Sequence, residues 1–336
     1  MSKLLELLFL QQIKGFGKVK INKMLGTVEQ SEDLDQLCES LLSNTKLKKK
    51  DLSLARSSAE KQFKDLKQQK EINILTVFDT DYPQGFLSLG VKKPVIIYAM
   101  GDASILNSPG VSVVGTRHPS PWTMKFGQNI SKQIGLVTGR IIVSGLALGC
   151  DKFAHEGALL AGVPTVAILP AGLNVITPSS HKRLAADIVN KGGCLLSEYS
   201  PDTKAFRATY IERDGLIAAM TDTTFVIECA EKSGTMHTVE AAQKIGRRLA
   251  CYYPDQNALL RGARENDYLG NKKMIDEMDA SIISRQTDFK PFFEELENKE
   301  TDTNKEVGGE TYQMAFSDLL DDGNIRGNKE MDDDDS

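Results

Sequence analysis

The sequence predicts an α/β protein built on a doubly wound, mostly parallel sheet. A small all-helical domain precedes it and an acidic tail follows. Three observations predict this. From Ile72 onward, short apolar runs alternate with helical stretches. Two of those runs, Val111–Val114 and Ile141–Val143, break into glycine-bearing turns that enter helices. Beyond Arg285 the chain turns polar and acidic and closes on four consecutive aspartates followed by Ser336. The expected domains are 1–70, 71–285 and 286–336.

Residues 1–70 are highly charged, with apolar side chains at helical intervals. Within them, Ile13-Lys14-Gly15-Phe16-Gly17-Lys18-Val19-Lys20-Ile21 has the form of a helix-hairpin-helix. Its glycines permit the tight turn, and the second helix can offer N–H groups to a phosphate. Such hairpins also serve purely as packing modules. Strands are then expected at 74–78, 95–98, 111–114, 140–143, 165–169, 194–198, 223–228 and 248–252. Helices are expected at 121–136, 151–161, 179–191, 211–221 and 235–246. Apolar strands alternating with helices imply a sheet covered on both faces. The tail composition cannot bury enough apolar surface to fold alone and predicts disorder. Its apolar islands, Phe289–Phe293 and Tyr312–Leu320, are candidate partner-binding segments.

Charge is unevenly distributed. Residues 287–336 hold 16 acids and 5 bases, a net −11. The whole 336-residue chain carries −5, so residues 1–286 carry +6. A basic body attracts polyanions, whereas an acidic tail can simply solubilise. The five cysteines are scattered, odd in number and without a CxxC, which predicts buried free thiols in a reducing cytoplasm. The four histidines lack metal-ligand spacing, so no metal is expected. No apolar run is long enough to span a bilayer, and the first ten residues read as an amphipathic helix rather than a signal peptide. Without GxGxxG or GxxxxGK[ST], neither a nicotinamide cofactor nor P-loop ATP hydrolysis is expected. No catalytic triad can be assigned, and no cofactor is expected.

Four segments fall where strands end, the place ligands occupy in open α/β sheets. The first is Gly115-Thr116-Arg117, with a forked guanidinium suited to phosphate. The second holds Ser144, Gly145, Gly149 and Asp151, with His155 one turn further on. Glu198 opens the third, which runs to Arg207 and then Arg213. The fourth is Lys232-Ser233-Gly234-Thr235, entering a helix that carries Glu240. Each residue also has a plainer reading. Asp151 fits a helix cap, His155 a satisfied core histidine, Glu240 a helix-surface charge, and Cys150 and Cys229 packing.

Together these residues resemble the DprA/Smf family of bacterial DNA-processing proteins over residues 74–280. The resemblance rests on a series of segments in order. They are Asp81-Tyr82-Pro83 with Phe86-Leu87 and Leu89; Pro94, Tyr98 and Gly101; Gly115-Thr116-Arg117; and Ser144-Gly145, Ala147, Gly149, Asp151 and Ala154-His155. Gly157-Ala158-Leu159, Ala171-Gly172-Leu173 with Pro178, Leu196-Ser197-Glu198, Ser233-Gly234-Thr235, and Gly270-Asn271 with Met274-Ile275 complete it. It implies an extended Rossmann domain that binds single-stranded DNA, an amino-terminal SAM-like helical domain, a homodimer, a RecA-type recombinase as partner and no established reaction. The chain departs from the family pattern at Arg213-Asp214-Gly215, where an asparagine and a second arginine are usual, and in lacking a carboxyl-terminal winged helix.

Two other classes fit parts of the sequence. A nucleotide-binding sensor or N-glycosidase, like the phosphoribohydrolases of related fold, would use Arg213 to hold a phosphate. Glu240 would then stabilise an oxocarbenium-like centre. A component of a phage-defence or mobile-element system would share the binding chemistry but not a transformation role.

Overall fold

The computed structural model describes residues 3–26, 34–36, 38–39, 48–284 and 288–294. Among these, strands β1 (Ile72–Thr76), β2 (Ile96–Gly101), β3 (Gly110–Val114), β4 (Ile141–Ser144), β5 (Thr165–Ile168), β6 (Cys194–Ser197), β7 (Thr223–Val226), β8 (Arg248–Cys251) and β9 (Ser281–Ile282) form one sheet. Their order is β1-β2-β6-β5-β4-β3-β7-β8-β9. β1 and β2 pair antiparallel, as do β2 and β6, and the remaining pairs are parallel. The chain winds outward from β3 to β6, then crosses back to lay β7 on the other side of β3.

Burial on both faces explains the near-continuous apolar runs. β3 shows the arrangement best. Val111 and Val113 face one layer and Val114 the other. Ser112 satisfies its hydroxyl on the Ile217 carbonyl, at 2.6 Å. One layer contains α4 (Gly127–Thr138) and α5 (Cys150–Ala161), with α6 (Lys182–Asn190) beside them. The opposite layer contains α7 (Arg207–Met220), α8 (Thr235–Lys244) and α10 (Leu269–Met278), while the short α9 (Gln256–Leu260) after β8 faces the α4 side. The helix expected from 121 starts only at Gly127. Before it, a turn is held by Thr123 Oγ1, 2.6 Å from the Tyr268 hydroxyl. The helix expected from 211 starts four residues earlier, because the Thr209 side chain accepts from the Phe206 amide.

The amino-terminal helices are α1 (Lys3–Gln12), α2 (Lys18–Leu25) and α3 (Lys49–Gln68). α1 and α2 form the expected hairpin, with Gly15 at φ 83° in the turn. Their apolar faces share one cluster with Val95, Ile96 and Tyr98 of the sheet and with Leu184 and Ile188 of α6. Within this layer Glu6 is fully buried and accepts from Arg56 Nη1 at 2.8 and 3.0 Å.

Segment 288–294, which composition alone assigns to the acidic tail, packs on the sheet instead. Phe289, Phe292 and Phe293 are buried, and Phe289 lies 5.9 Å from the Phe225 ring. The aromatic island therefore serves this chain's own core. The Tyr312–Leu320 island and the expected tail disorder lie outside the described residues.

Removing one partner of a buried pair strands a charge. Arg56→Met should lower unfolding free energy by about 3 kcal/mol in denaturant titration. The double variant Glu6→Met/Arg56→Met should recover most of that loss. A single-variant effect below about 1 kcal/mol would show that the pair does not hold α1 to α3.

Candidate phosphate-binding site

Where connections on either side of β3 run in opposite directions, the carboxyl ends of β3 and β7 leave a crevice between them. It encloses about 330 Å³. Gly115, Thr116, Arg117 and His118 line it after β3, and Ala147 and Asp151 after β4. Arg213 and Asp214 come from α7, and Ser233, Gly234, Thr235 and Thr238 from the turn into α8. A second hollow of about 100 Å³ adjoins it, sharing Arg117, Ala147 and Arg213 and adding Leu148, Pro170, Thr177, Pro178 and Tyr210.

The crevice wall is knitted by backbone. The Thr116 amide donates to the Glu228 carbonyl at 2.7 Å, and the Cys150 amide donates to the Thr116 carbonyl at 3.0 Å. The buried Glu228 carboxylate accepts from the Ser120 amide at 2.9 Å and its hydroxyl at 2.7 Å. This acid is consumed in holding the loop of Arg117. Its only signal in the sequence is its place at the end of a strand. Gly149 sits at φ 73°, and a Cβ there would collide with the Thr116 carbonyl. At Gly145 a Cβ would overlap the Arg213 guanidinium.

Arg213 lies on the crevice floor with a side chain 5% exposed. Its Nη1 stands 3.6 Å from Asp151 and 3.3 Å from Asp214. Burial pushes the Asp151 carboxyl up, against the pull of Arg213. Asp151 also accepts from the Ala147 amide at 3.2 Å. Burial pushes Asp214 up to about 6, and Asp151 adds to that while Arg213 opposes it. Arg117 is exposed, its guanidinium 5.2 Å from the Tyr210 ring centroid.

Of the residues singled out by sequence, Gly115, Thr116, Arg117, Asp151, Arg213, Ser233, Gly234 and Thr235 meet in this crevice. Gly145 lines the adjoining hollow. Ser144 lies fully buried and donates to the Val113 carbonyl at 2.7 Å, tying β4 to β3. Lys232 is exposed and outside the lining. His155 is fully buried, with Nδ1 2.8 Å from the Thr165 hydroxyl. Burial, then His181 and Arg213, push its ring down to about 3, so it is a neutral core histidine. Glu198 is held by Lys18 of the amino-terminal hairpin at 2.8 Å. That lysine also reaches Glu212 at 2.9 Å, so the first turn of α2 packs on the sheet domain. Glu240 is exposed and outside the lining. Thr235 and Thr238 mark the crevice face of α8, and a residue five positions beyond Thr235 is rotated about 140° away from it. The N-glycosidase geometry is therefore not formed.

Sequence reasoning missed two residues. Leu146, fully buried, adopts φ 58°, a left-handed conformation costly for a branched side chain. Its carbonyl lies 2.9 Å from Nδ1 of the buried His181.

The model of the family described as DNA recombination-mediator protein A matches residues 73–294. Among relatives, Protein Smf of Synechocystis is 36% identical over 194 residues, covering 55% of this chain and 47% of that protein. DNA processing protein DprA of Streptococcus pneumoniae is 34% identical over 172 residues, covering 51% and 60%. The chain thus spans about half the length of the relatives it matches in sequence. The solved structure of the pneumococcal DprA shares the fold, with TM-score 0.68 at 24% identity, over 86% of this chain and 96% of that one. DNA processing protein A of Helicobacter pylori, solved for its single-stranded DNA binding mode, gives 0.57 at 26% identity over 68% and 97%.

A carboxyl at about 6 against an ordinary 3.8 costs roughly 2–3 kcal/mol to ionise in the folded state. The folded pKa is raised, so stability present below about pH 4 is lost as pH rises through about 6. Asp214→Asn should remove this loss. Denaturant unfolding at pH 4 and pH 8 should show a smaller drop in the variant, and equal drops would show that Asp214 ionises freely.

Proposed function

The chain belongs to the DNA recombination-mediator protein A family, and from that premise we propose that it binds single-stranded DNA along the strand-end crevice. One observation carries the reading. Arg117 stands exposed over the Tyr210 ring, where the crevice meets its apolar neighbour. A guanidinium beside an aromatic platform suits a phosphate with an attached base better than a bare anion. Thr116, Ser233 and Thr235 add hydroxyls around the same space, and the amino end of α8 favours negative charge. Support also comes from the Helicobacter relative, whose structure concerns single-stranded DNA binding.

The proposal extends to handling DNA in recombination or uptake, with a RecA-type recombinase as partner. No reaction is assigned. A homodimer is included. Leu260, Leu269 and Ile282 are 85%, 42% and 49% exposed, apolar side chains that a second copy would cover. A cytoplasmic setting suits the five buried free cysteines. Among the described residues no helix is long and apolar enough to cross a membrane.

Fluorescence anisotropy with labelled oligo-dT tests the reading. Binding should weaken steeply as salt rises. Arg117→Ala should weaken it about tenfold or more and shallow the salt slope by about 0.7. Failure of the chain ending at Glu294 to bind at low salt would overturn the proposal.

The acidic residues beyond Glu294 should compete with DNA for the basic body. Truncation there, rather than at Arg285, spares the buried Phe289–Phe293. The shorter chain should bind more tightly at low salt and equally at about 1 M, where the Debye length is about 3 Å. Equal affinity at both would make the tail a solubiliser.

A further inference from the structure

A further hollow, of about 420 Å³, lies beside β8. It falls in the size range of small-molecule sites, and nothing described above uses it. We propose that it holds a base of the bound DNA strand, a second contact beyond the crevice. The inference rests on the single-stranded DNA reading. Four rings line it: Trp122 and Phe126 ahead of α4, Tyr252 just after β8, and Phe289. The first three are fixed to one another. Trp122 Nε1 donates to the Tyr252 hydroxyl at 3.2 Å, and the Phe126 and Tyr252 centroids lie 4.6 Å apart. Rings locked in this way offer stacking at little entropic cost.

The polar lining matches a base and its backbone. Asn129 and Asn257 supply side-chain amides, which pair with base edges as both donor and acceptor. Arg261 supplies a guanidinium for phosphate. Lys125 adds positive charge 5.3 Å from the Trp122 ring centroid. The one carboxylate in the lining, Asp255, is engaged in capping α9 through the Ala258 amide at 2.8 Å.

Placement relative to the crevice carries the inference further. Arg117 lines the crevice and Trp122 this hollow, five residues apart on one loop. Five residues span at most about 18 Å, so one strand of several nucleotides can touch both. That loop is also held down through Ser120 on Glu228 and Thr123 on Tyr268. The two contacts are therefore fixed relative to each other.

Trp122 is the only tryptophan in the chain, so its emission reports on this hollow alone. The full chain is titrated with labelled oligo-dT while anisotropy and tryptophan emission are read together. Quenching should follow the anisotropy isotherm. An oligonucleotide of equal length made of abasic sugar-phosphate should bind about fivefold or more weakly and leave emission unchanged. Asn257→Ala/Arg261→Glu alters only exposed side chains and should weaken oligo-dT binding by a similar factor. Tight oligo-dT binding with constant emission and an unaffected double variant would overturn the base site while leaving the DNA reading intact. No anisotropy change with oligo-dT would overturn that reading, and this inference with it. Quenching by thymidine monophosphate at the same affinity as oligo-dT would make the occupant a free nucleotide and overturn the strand contact.

Discussion

Arg213 carries its guanidinium to the crevice floor, almost out of reach of water. A charge so placed costs several kcal/mol unless it is paired. Asp151 and Asp214 supply the pairing at 3.6 and 3.3 Å, from helices on opposite faces of the sheet. The ion group therefore bridges two layers at the point where the sheet changes direction. Its needs propagate outward. Gly145 has no side chain because the guanidinium fills that space. The next residue, Leu146, accepts a left-handed backbone, with His181 beside its carbonyl. Asp151 is aimed by the Ala147 amide.

The same group decides where affinity for an anion can come from. One guanidinium against two carboxylates gives a floor that is negative when both acids are ionised. Asp214, pushed up to about 6, relieves part of that charge only near or below that pH. Attraction must therefore arise above the floor, from the exposed Arg117, the hydroxyls of Thr116, Ser233 and Thr235, and the amino end of α8. The floor contributes shape. It holds the turns at fixed spacing, so that donors are in place before a ligand arrives.

The sheet and the strand-end turns were legible because their signals are local. An apolar run, a small-residue turn and a helix start lie within a dozen residues of each other, as in Val111–Arg117 and Ile141–Asp151. What was not legible depends on contacts distant in sequence. His155 was a candidate by proximity to Asp151, but its helix turns it inward to Thr165. Glu198 was a candidate by position, but Lys18, 180 residues earlier, takes it. Glu240 was one helical turn from the right place and rotated off the crevice face. Phe289–Phe293 read as part of an acidic tail because composition averages over a window, whereas three rings suffice to dock a short segment. The strand β9, two residues long, carries no periodicity to detect.

The amino-terminal hairpin shows how a motif's chemistry can be redirected by its neighbours. Its glycine turn and basic helix have the composition of a DNA contact. Yet Lys18, in the first turn of α2, is bound by Glu198 and Glu212, and Asn22 donates to the carbonyls of Val91 and Lys93. The most favourable cation for a phosphate at that helix start is thus spent on holding the hairpin to the sheet. Glu212 immediately precedes Arg213 on α7, so the contact that seats the hairpin also steadies the helix carrying the floor guanidinium. For DNA bound as proposed, the long-range pull would then fall to exposed cations such as Arg117, Lys204, Arg207 and Lys232 rather than to Lys18.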